Sequence, residues 1–312
     1  MTSYDPTATP PAGGTEGARE IRFLKGHGTE NDFVVVLDES ASLRLSEESI
    51  RAITNRRSGI GGDGILRIAR AGDLRSAGEL DAIPEDVDGG DWFMDYRNAD
   101  GSIAEMCGNG VRVFAHALVA TGLADAGEIR VGTRAGLRPA TVSEATAESA
   151  TVSVSMGVPE VLGVSTVSFE GHTFAGLAVD VGNPHVAAIV PRMTAESLSA
   201  LPIDVPPSFD EEFFPNGVNV EISTPLVDGE VTMRVHERGA GETRSCGTGI
   251  VATAIAALAD AEQNDGTVLV NVPGGRVQVE ILDGHAQMTG PSRLVALGTL
   301  GEHLLKAYDV RE

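Results

Sequence analysis

The feature that most constrains this chain is a repeat of long period. Cys107-Gly108-Asn109-Gly110 is followed by the apolar run 111–120 (VRVFAHALVA), and Cys246-Gly247-Thr248-Gly249 by the run 250–259 (IVATAIAALA). The offset is 139 residues, from position 107 to position 246. Carried forward without a gap, the same offset lays 128–136 (EIRVGTRAG) on 267–275 (TVLVNVPGG). Further upstream, Asn31-Asp32-Phe33-Val34 resembles Asn183-Pro184-His185-Val186 at an offset of 152, a difference of loop length. Copies of about 140 residues are each large enough to carry a core, so the period indicates a duplicated domain rather than a solenoid.

Residues 111–120 and 250–259 are apolar on nearly every side, the pattern of a helix enclosed by protein all round. Strand-like runs occur at 32–37 (DFVVVL) and 64–68 (GILRI). Ser46, followed by Glu47 and Glu48, predicts the N-cap of a helix over 46–57. The chain therefore reads as two α/β halves, each with β-strands enclosing one buried helix that opens at a Cys-Gly-x-Gly turn. If the halves face each other, the two cysteines meet. The expected division is a disordered tail over 1–20, where Pro, Thr, Gly and Ala leave little to bury, an N-terminal half over 21–156 joined by about 294–312, and a C-terminal half over 157–293. Residues 71–91, acidic and broken by Gly and Pro, read as a non-catalytic surface insertion between two strands. Gly59-Ile60-Gly61-Gly62-Asp63-Gly64 fits a dinucleotide-binding pattern literally, but a helix precedes it and a strand follows, the reverse of the order that motif needs. It reads as a helix stop and tight turn.

The charge balance narrows the function. With 23 Lys+Arg against 45 Asp+Glu the net charge is −22, which disfavours nucleic acid and anionic membranes as partners. No apolar run approaches the roughly 18–20 residues of a membrane span, and the beginning of the chain lacks a signal-peptide core. Two cysteines cannot build a disulfide framework. The expectation is a cytoplasmic protein.

A helix N-terminus presents unpaired N–H groups and a partial positive charge, and small glycines let a ligand approach the backbone. Two such ends could hold one carboxylate, with a thiol beside each made more acidic by the same field. Two thiols flanking one carbon are what stereoinversion next to a carboxylate requires: one removes the α-proton as thiolate and the other delivers a proton to the opposite face. Donors aimed at the developing charge supply several kcal/mol, roughly 2.7–4 for each well-placed group, so no cofactor is obligatory. Pyridoxal phosphate would need a Schiff-base lysine, and the only lysines are Lys25 and Lys306, neither in a phosphate-binding context. His27, His116, His172, His185, His236, His285 and His303 form no metal-ligand spacing, so no metal is expected.

These residues resemble the diaminopimelate epimerase family, cofactor-independent racemases of lysine and peptidoglycan-precursor biosynthesis. The resemblance rests on Glu30-Asn31-Asp32-Phe33, Arg97-Asn98-Ala99-Asp100-Gly101-Ser102, Glu105 through Gly110, Met156-Gly157, Gly182-Asn183-Pro184-His185, Gly217-Val218-Asn219, Glu237 through Thr243, Ser245 through Gly249 and Pro273-Gly274-Gly275, in family order from about 21 to 297. It implies an α/β (α+β) fold of two pseudo-symmetric domains, each a mixed, mostly antiparallel sheet wrapped around a central buried helix. It further implies that Cys107 and Cys246 are the catalytic acid/base pair. Gly108, Asn109, Gly247 and Thr248 would be main-chain donors to the reacting carboxylate, and Asn31 a side-chain partner near that centre. Asn98, Asn183, Asn219 and Arg238 would grip the distal carboxylate, with Glu237 on the distal ammonium. A substrate with two ammonium and two carboxylate groups matches such a set, and an ordinary amino acid would leave it unpaired. A homodimer is also implied. Gly64 departs from the pattern, standing where some members carry a larger polar side chain.

Read singly, Asn183 and Asn219 fit turns as well as a site, Glu237-Arg238 fits a surface pair, and His185 and His27 are weak pocket signals. A racemase of proline or hydroxyproline with the same two cysteines is the alternative substrate class. A thiol redox protein lacks support from any C-x-x-C, and a non-catalytic carboxylate-binding module would tolerate Cys107→Ala. If both sulfurs reach one carbon, the empty site should oxidise to a Cys107–Cys246 disulfide.

Overall fold

The computed structural model describes residues 21–301 and Leu304. The tail expected over 1–20 and most of the extension beyond 301 lie outside the described residues. The chain divides into two units, one running to Gly28, through Asp32–Val152 and from Pro291 onward, the other comprising Thr29–Asn31 and Ser153–Gly290.

In chain order the first unit carries β1 (Arg22–Gly28), β2 (Asn31–Leu37), α1 (Glu47–Thr54), β3 (Gly64–Arg70), α2 (Ala71–Ser76), β4 (Trp92–Asn98), α3 (Gly108–Ala120), β5 (Gly127–Thr133) and β6 (Gly136–Ser143). β7 (Ser149–Gly157) passes into the second unit. There follow β8 (Glu160–Phe169), β9 (His172–Asp180), β10 (Pro184–Ile189), α4 (Ala195–Ser199), β11 (Ser208–Phe209), β12 (Asn219–Ser223), β13 (Glu230–Glu237), β14 (Gly241–Thr243), α5 (Gly247–Asp260), β15 (Gly266–Val272) and β16 (Gly275–Leu282). β17 (His285–Thr299) begins in the second unit and ends in the first.

In the first unit β2 and β3 run parallel, β3 and β4 antiparallel, β4 and β5 parallel, and β5 and β6 antiparallel. The second unit repeats this alternation with β10 and β12, β12 and β13, β13 and β15, and β15 and β16. The repeat extends to register: the pair Trp92↔Val131 recurs as Val231↔Val270, and Gly127↔Val142 as Gly266↔Ile281, each displaced by the offset seen between the cysteines. The duplication is therefore carried at the level of single hydrogen-bonded pairs.

The two apolar runs form the enclosed helices expected of them. Every residue of α3 from Gly108 to Leu118 is buried, and the helix touches β1, β3, β4, β5 and β6. In α5 all residues from Gly247 to Leu258 are buried except Ile255, which is half-buried, and the helix meets β9, β10, β12, β13, β15 and β16. α1 follows a different rule. It is a surface helix whose Ile50 and Ile53 pack on Val34, Val36 and Ile65, with Ser46 accepting from the Ser49 N–H at its N-cap. The glycines at 59–62 end it, their N–H groups reaching back to Ile53 O, Thr54 O and Asn55 O before β3 begins. The order is helix, turn, strand.

The stretch 71–91 lies between two strands as expected, but it is not a loose surface loop. α2 opens it, and Ala71, Leu74, Leu80 and Val87 are buried with Ala41, Ala69 and Phe93 in a core of their own. Four apolar residues spaced through an acidic segment suffice to anchor it. Beneath lies a buried ion network in which Asp95 meets Arg97 at 2.9 Å, Arg134 at 2.8 Å and Arg67 at 3.5 Å, while Arg67 also pairs with Asp38.

Candidate active site

Each cysteine is the N-cap residue of an enclosed helix. Cys107 is extended (φ −147°, ψ 115°), and its Sγ accepts from the Gly110 N–H at 3.4 Å. A Cβ on Gly110 would meet Leu66 at 3.3 Å and Cys107 Cβ at 3.4 Å, so a bulkier residue would crowd this turn. The N–H groups of Gly108 and Asn109 belong to the first turn of α3, where intrahelical acceptors are lacking. The Asn109 side chain is fully buried and its Oδ1 accepts from Arg112 Nη2 at 2.6 Å. Burial lowers the Arg112 pKa to about 10, and the charge of a Cys107 thiolate acts on it in the opposite sense.

Cys246 is the counterpart in the second unit (φ −118°, ψ 116°), buried, with Sγ 3.4 Å from Thr248 Oγ1. Its thiol is held well above the usual range, first by burial and then by the carboxylates of Glu237 and Glu221, with Thr248 and the Gly249 N–H opposing. Glu237, the last residue of β13, is half-buried, and burial raises its pKa. Its carboxylate accepts from the Thr243 hydroxyl, and its charge helps to raise the Cys246 thiol. That effect draws Glu237 toward the sulfur, whereas the family resemblance implies a place on the distal ammonium.

The remaining candidates occupy strand ends. Asn98 closes β4, donating its Nδ2 to Ser102 Oγ at 2.9 Å. Asn183 is half-buried just before β10, and Asn219 opens β12. Asn219 Oδ1 accepts from the Arg238 N–H at 2.9 Å and its Nδ2 donates to Pro184 O at 3.2 Å, so this buried amide ties β10 to the chain after β13. The Arg238 guanidinium donates to Asn216 O at 2.9 Å and its residue is exposed. Asn31 opens β2 and groups with the second unit. The preceding Thr29 bonds Ser245 at 2.7 Å and Glu30 pairs with Arg244, which fastens this turn to the residues leading into Cys246. Gly274 permits it: a Cβ there would lie 1.8 Å from Thr29 O.

In the second unit the structure thus gathers Asn183, Asn219, Glu237, Arg238, Cys246, Gly247 and Thr248 around β10, β12 and the start of α5; in the first, Cys107, Gly108 and Asn109 share one helical turn and Asn98 ends the strand facing Gly64. Gly64 has a local reason for its size, since a Cβ would lie 2.5 Å from Arg97 O and 2.7 Å from Tyr96 Cε2. Sequence reasoning missed Arg112 and Glu221. Each is a charged residue inside an otherwise apolar run, a signal that was there to read.

The fold is shared with amino-acid racemases. A probable proline racemase from Agrobacterium radiobacter K84 superposes with a TM-score of 0.62 at 15% identity, covering 90% of this chain and 93% of that one. A hydroxyproline epimerase from Agrobacterium vitis gives 0.61 at 16%, covering 92% and 94%. At these identities the likeness is one of fold. In sequence, the diaminopimelate epimerase family model matches residues 23–162 and 177–295. A diaminopimelate epimerase from Corynebacterium aurimucosum is 57% identical over 278 residues, 89% of this chain and 99% of that protein. The chain belongs to the diaminopimelate epimerase family.

Proposed function

We propose that this protein interconverts L,L- and meso-diaminopimelate without a cofactor, Cys107 and Cys246 serving as the two acid/base groups. The observation that carries the reading is the pair of cysteine-capped helix starts, repeated at one offset in a chain of this family. One cysteine, as thiolate, takes the Cα proton and becomes a thiol. The other gives its proton to the opposite face and becomes the thiolate. The pair ends with its protonation exchanged, so the enzyme in either state serves one direction of the reaction. The helix-start N–H groups of Gly108, Asn109, Gly247 and Thr248 stabilise the charge that develops on the adjacent carboxylate. The raised Cys246 thiol suits the proton donor of the resting enzyme. Asn31 serves the reacting centre, and Asn98, Asn183, Asn219 and Arg238 the distal carboxylate. Glu237, beside Cys246, is assigned to the reacting end.

No described helix is long and apolar enough to cross a membrane. A cytoplasmic homodimer acting on a small molecule, without nucleic acid, fits the family and the −22 charge. The test is solvent deuterium incorporation into L,L-diaminopimelate by the wild type, Cys107→Ser and Cys246→Ser. Wild-type exchange with at least a hundredfold loss in each variant is expected. Exchange into proline with none into diaminopimelate would overturn the substrate assignment.

A further inference from the structure

Strands β10 and β12 carry a buried His185–Glu221 pair that leads to Asn183, and the reaction above gives the histidine no task. Parallel pairing sets His185 opposite Asn219 and Ala187 opposite Glu221, so by strand alternation His185 and Glu221 share one face. Both are fully buried. His185 Nδ1 lies 2.8 Å from Glu221 Oε1, and His185 Nε2 lies 3.1 Å from Asn183 Oδ1. The other carboxylate oxygen, Glu221 Oε2, is buried and has no hydrogen-bond partner. The first turn of α5 closes over the carboxylate, since a Cβ on Gly249 would come within 2.4 Å of Oε1.

Hydrogen-bond geometry sets the roles in this chain. An amide oxygen can only accept, so in the contact with Asn183 Oδ1 the His185 Nε2 bears the proton and donates it, while Nδ1 is engaged by the Glu221 carboxyl group. The oxygen of that amide is then occupied, and its NH2 group is turned away from His185 on a residue that is itself half-buried.

We propose that Glu221, acting through His185, is a positioning residue that fixes the Asn183 amide with its NH2 group presented to the distal carboxylate of the substrate. The proposal rests on the reading of Asn183 given above. Without Glu221 holding Nδ1, the ring is free to take the other tautomer, which leaves Nε2 bare; the amide can then turn over, and its oxygen would confront a carboxylate.

A double-mutant cycle tests this on the full-length enzyme. Glu221→Met is expected to raise KM for diaminopimelate about tenfold, the scale of one hydrogen bond to a charged group. In an Asn183→Ala background the same substitution should change KM less than twofold. Removing the Glu221 charge also acts on Cys246, but that effect falls on kcat and equally in both backgrounds. Equal KM effects in the two backgrounds, no KM effect of Glu221→Met, or no KM effect of Asn183→Ala would each overturn the proposal. Should Glu221→Met fail to fold, nitrogen-15 NMR of the wild-type His185 ring gives the answer: a protonated Nε2 at pH 7.5 supports it and an unprotonated one overturns it. Failure of the functional reading is distinct, since the wild type would then not exchange deuterium into diaminopimelate.

Discussion

Arg112 Nη2 lies 2.6 Å from Asn109 Oδ1 in the first turns of α3, and both side chains are fully buried. Burial draws the arginine down to about pH 10, below its ordinary value, so at neutral pH its charge costs stability. Between that value and the ordinary one the unfolded chain binds the extra proton, and stability rises with pH through that window. A charge kept at such a cost next to Cys107 points to activity. Arg112→Met is expected to leave Tm within a few degrees of wild type while lowering kcat at least about tenfold. Thermal melts beside deuterium-exchange rates check both halves, and a large loss of Tm with kcat unchanged would contradict them.

Glu237 acts on the other sulfur. Its carboxylate helps to hold the Cys246 thiol above the usual range, after burial as the larger cause. Glu237→Gln removes that charge, so alkylation of Cys246 by iodoacetamide at pH 8 should accelerate, because the thiolate fraction rises as the thiol becomes more acidic. Peptide mapping by mass spectrometry measures the rate. Because the folded-state value is raised, Cys246 stabilises the fold below its ordinary thiol pKa, and that contribution fades as pH climbs toward the raised value.

Asp95, ringed by Arg134, Arg97 and Arg67, is kept ionised below the ordinary carboxylate range: burial alone would raise it, and the three arginines outweigh burial. Asp95→Asn strands the arginines in a dry site and should cost about 3–5 kcal/mol in urea unfolding at pH 7. A lowered folded-state value means that the wild-type advantage is present above the ordinary carboxylate pKa and lost as pH falls through the folded one. The gap between the two proteins should therefore narrow toward pH 3.

Gly274→Ala tests the turn that carries Asn31. Its new methyl group would collide with Thr29 O, a backbone atom that cannot rotate away. A loss of about 1–3 kcal/mol is expected from overpacking, with KM for diaminopimelate raised as Asn31 is displaced. An active variant of wild-type stability would show that residues 29–31 move freely.

The proposed two-thiol reaction would also entail a redox liability. Oxidation by dioxygen should join Cys107 to Cys246, each thiol giving up one proton and one electron, with activity lost and then restored by dithiothreitol. Mass spectrometry of non-reduced peptides from inactivated enzyme identifies the bond. Inactivation without that linked peptide would count against both sulfurs serving one carbon.

Much of this was legible because the repeat is written in residue types with narrow uses. Cysteine before glycine, then an apolar run without a polar stripe, can hardly be anything but a capped, enclosed helix, and both α3 and α5 are that. Ser46 and the glycines at 59–62 likewise carry their local structure in their own chemistry. Where tertiary contacts decide, the reading ran out. Nothing local to 71–91 says that Leu74, Leu80 and Val87 converge on Phe93, because a core assembled from scattered residues has no period. The influence of Glu237 on Cys246 was hidden for a similar reason: the two lie nine positions apart along the chain, with β14 between them. Charges within apolar runs, at Arg112 and Glu221, were visible but passed over.

β17 has a consequence for biogenesis. Its beginning pairs with β16 and its end with β1, Arg22 lying opposite Thr299. Strand β1 leaves the ribosome long before its partner, Arg22 preceding Thr299 by 277 residues (299 − 22). The half translated first is thus the half completed last, and a nascent chain arrested before Pro291 would expose one flank of β1 to any extended segment nearby, a hazard that chaperones exist to shield.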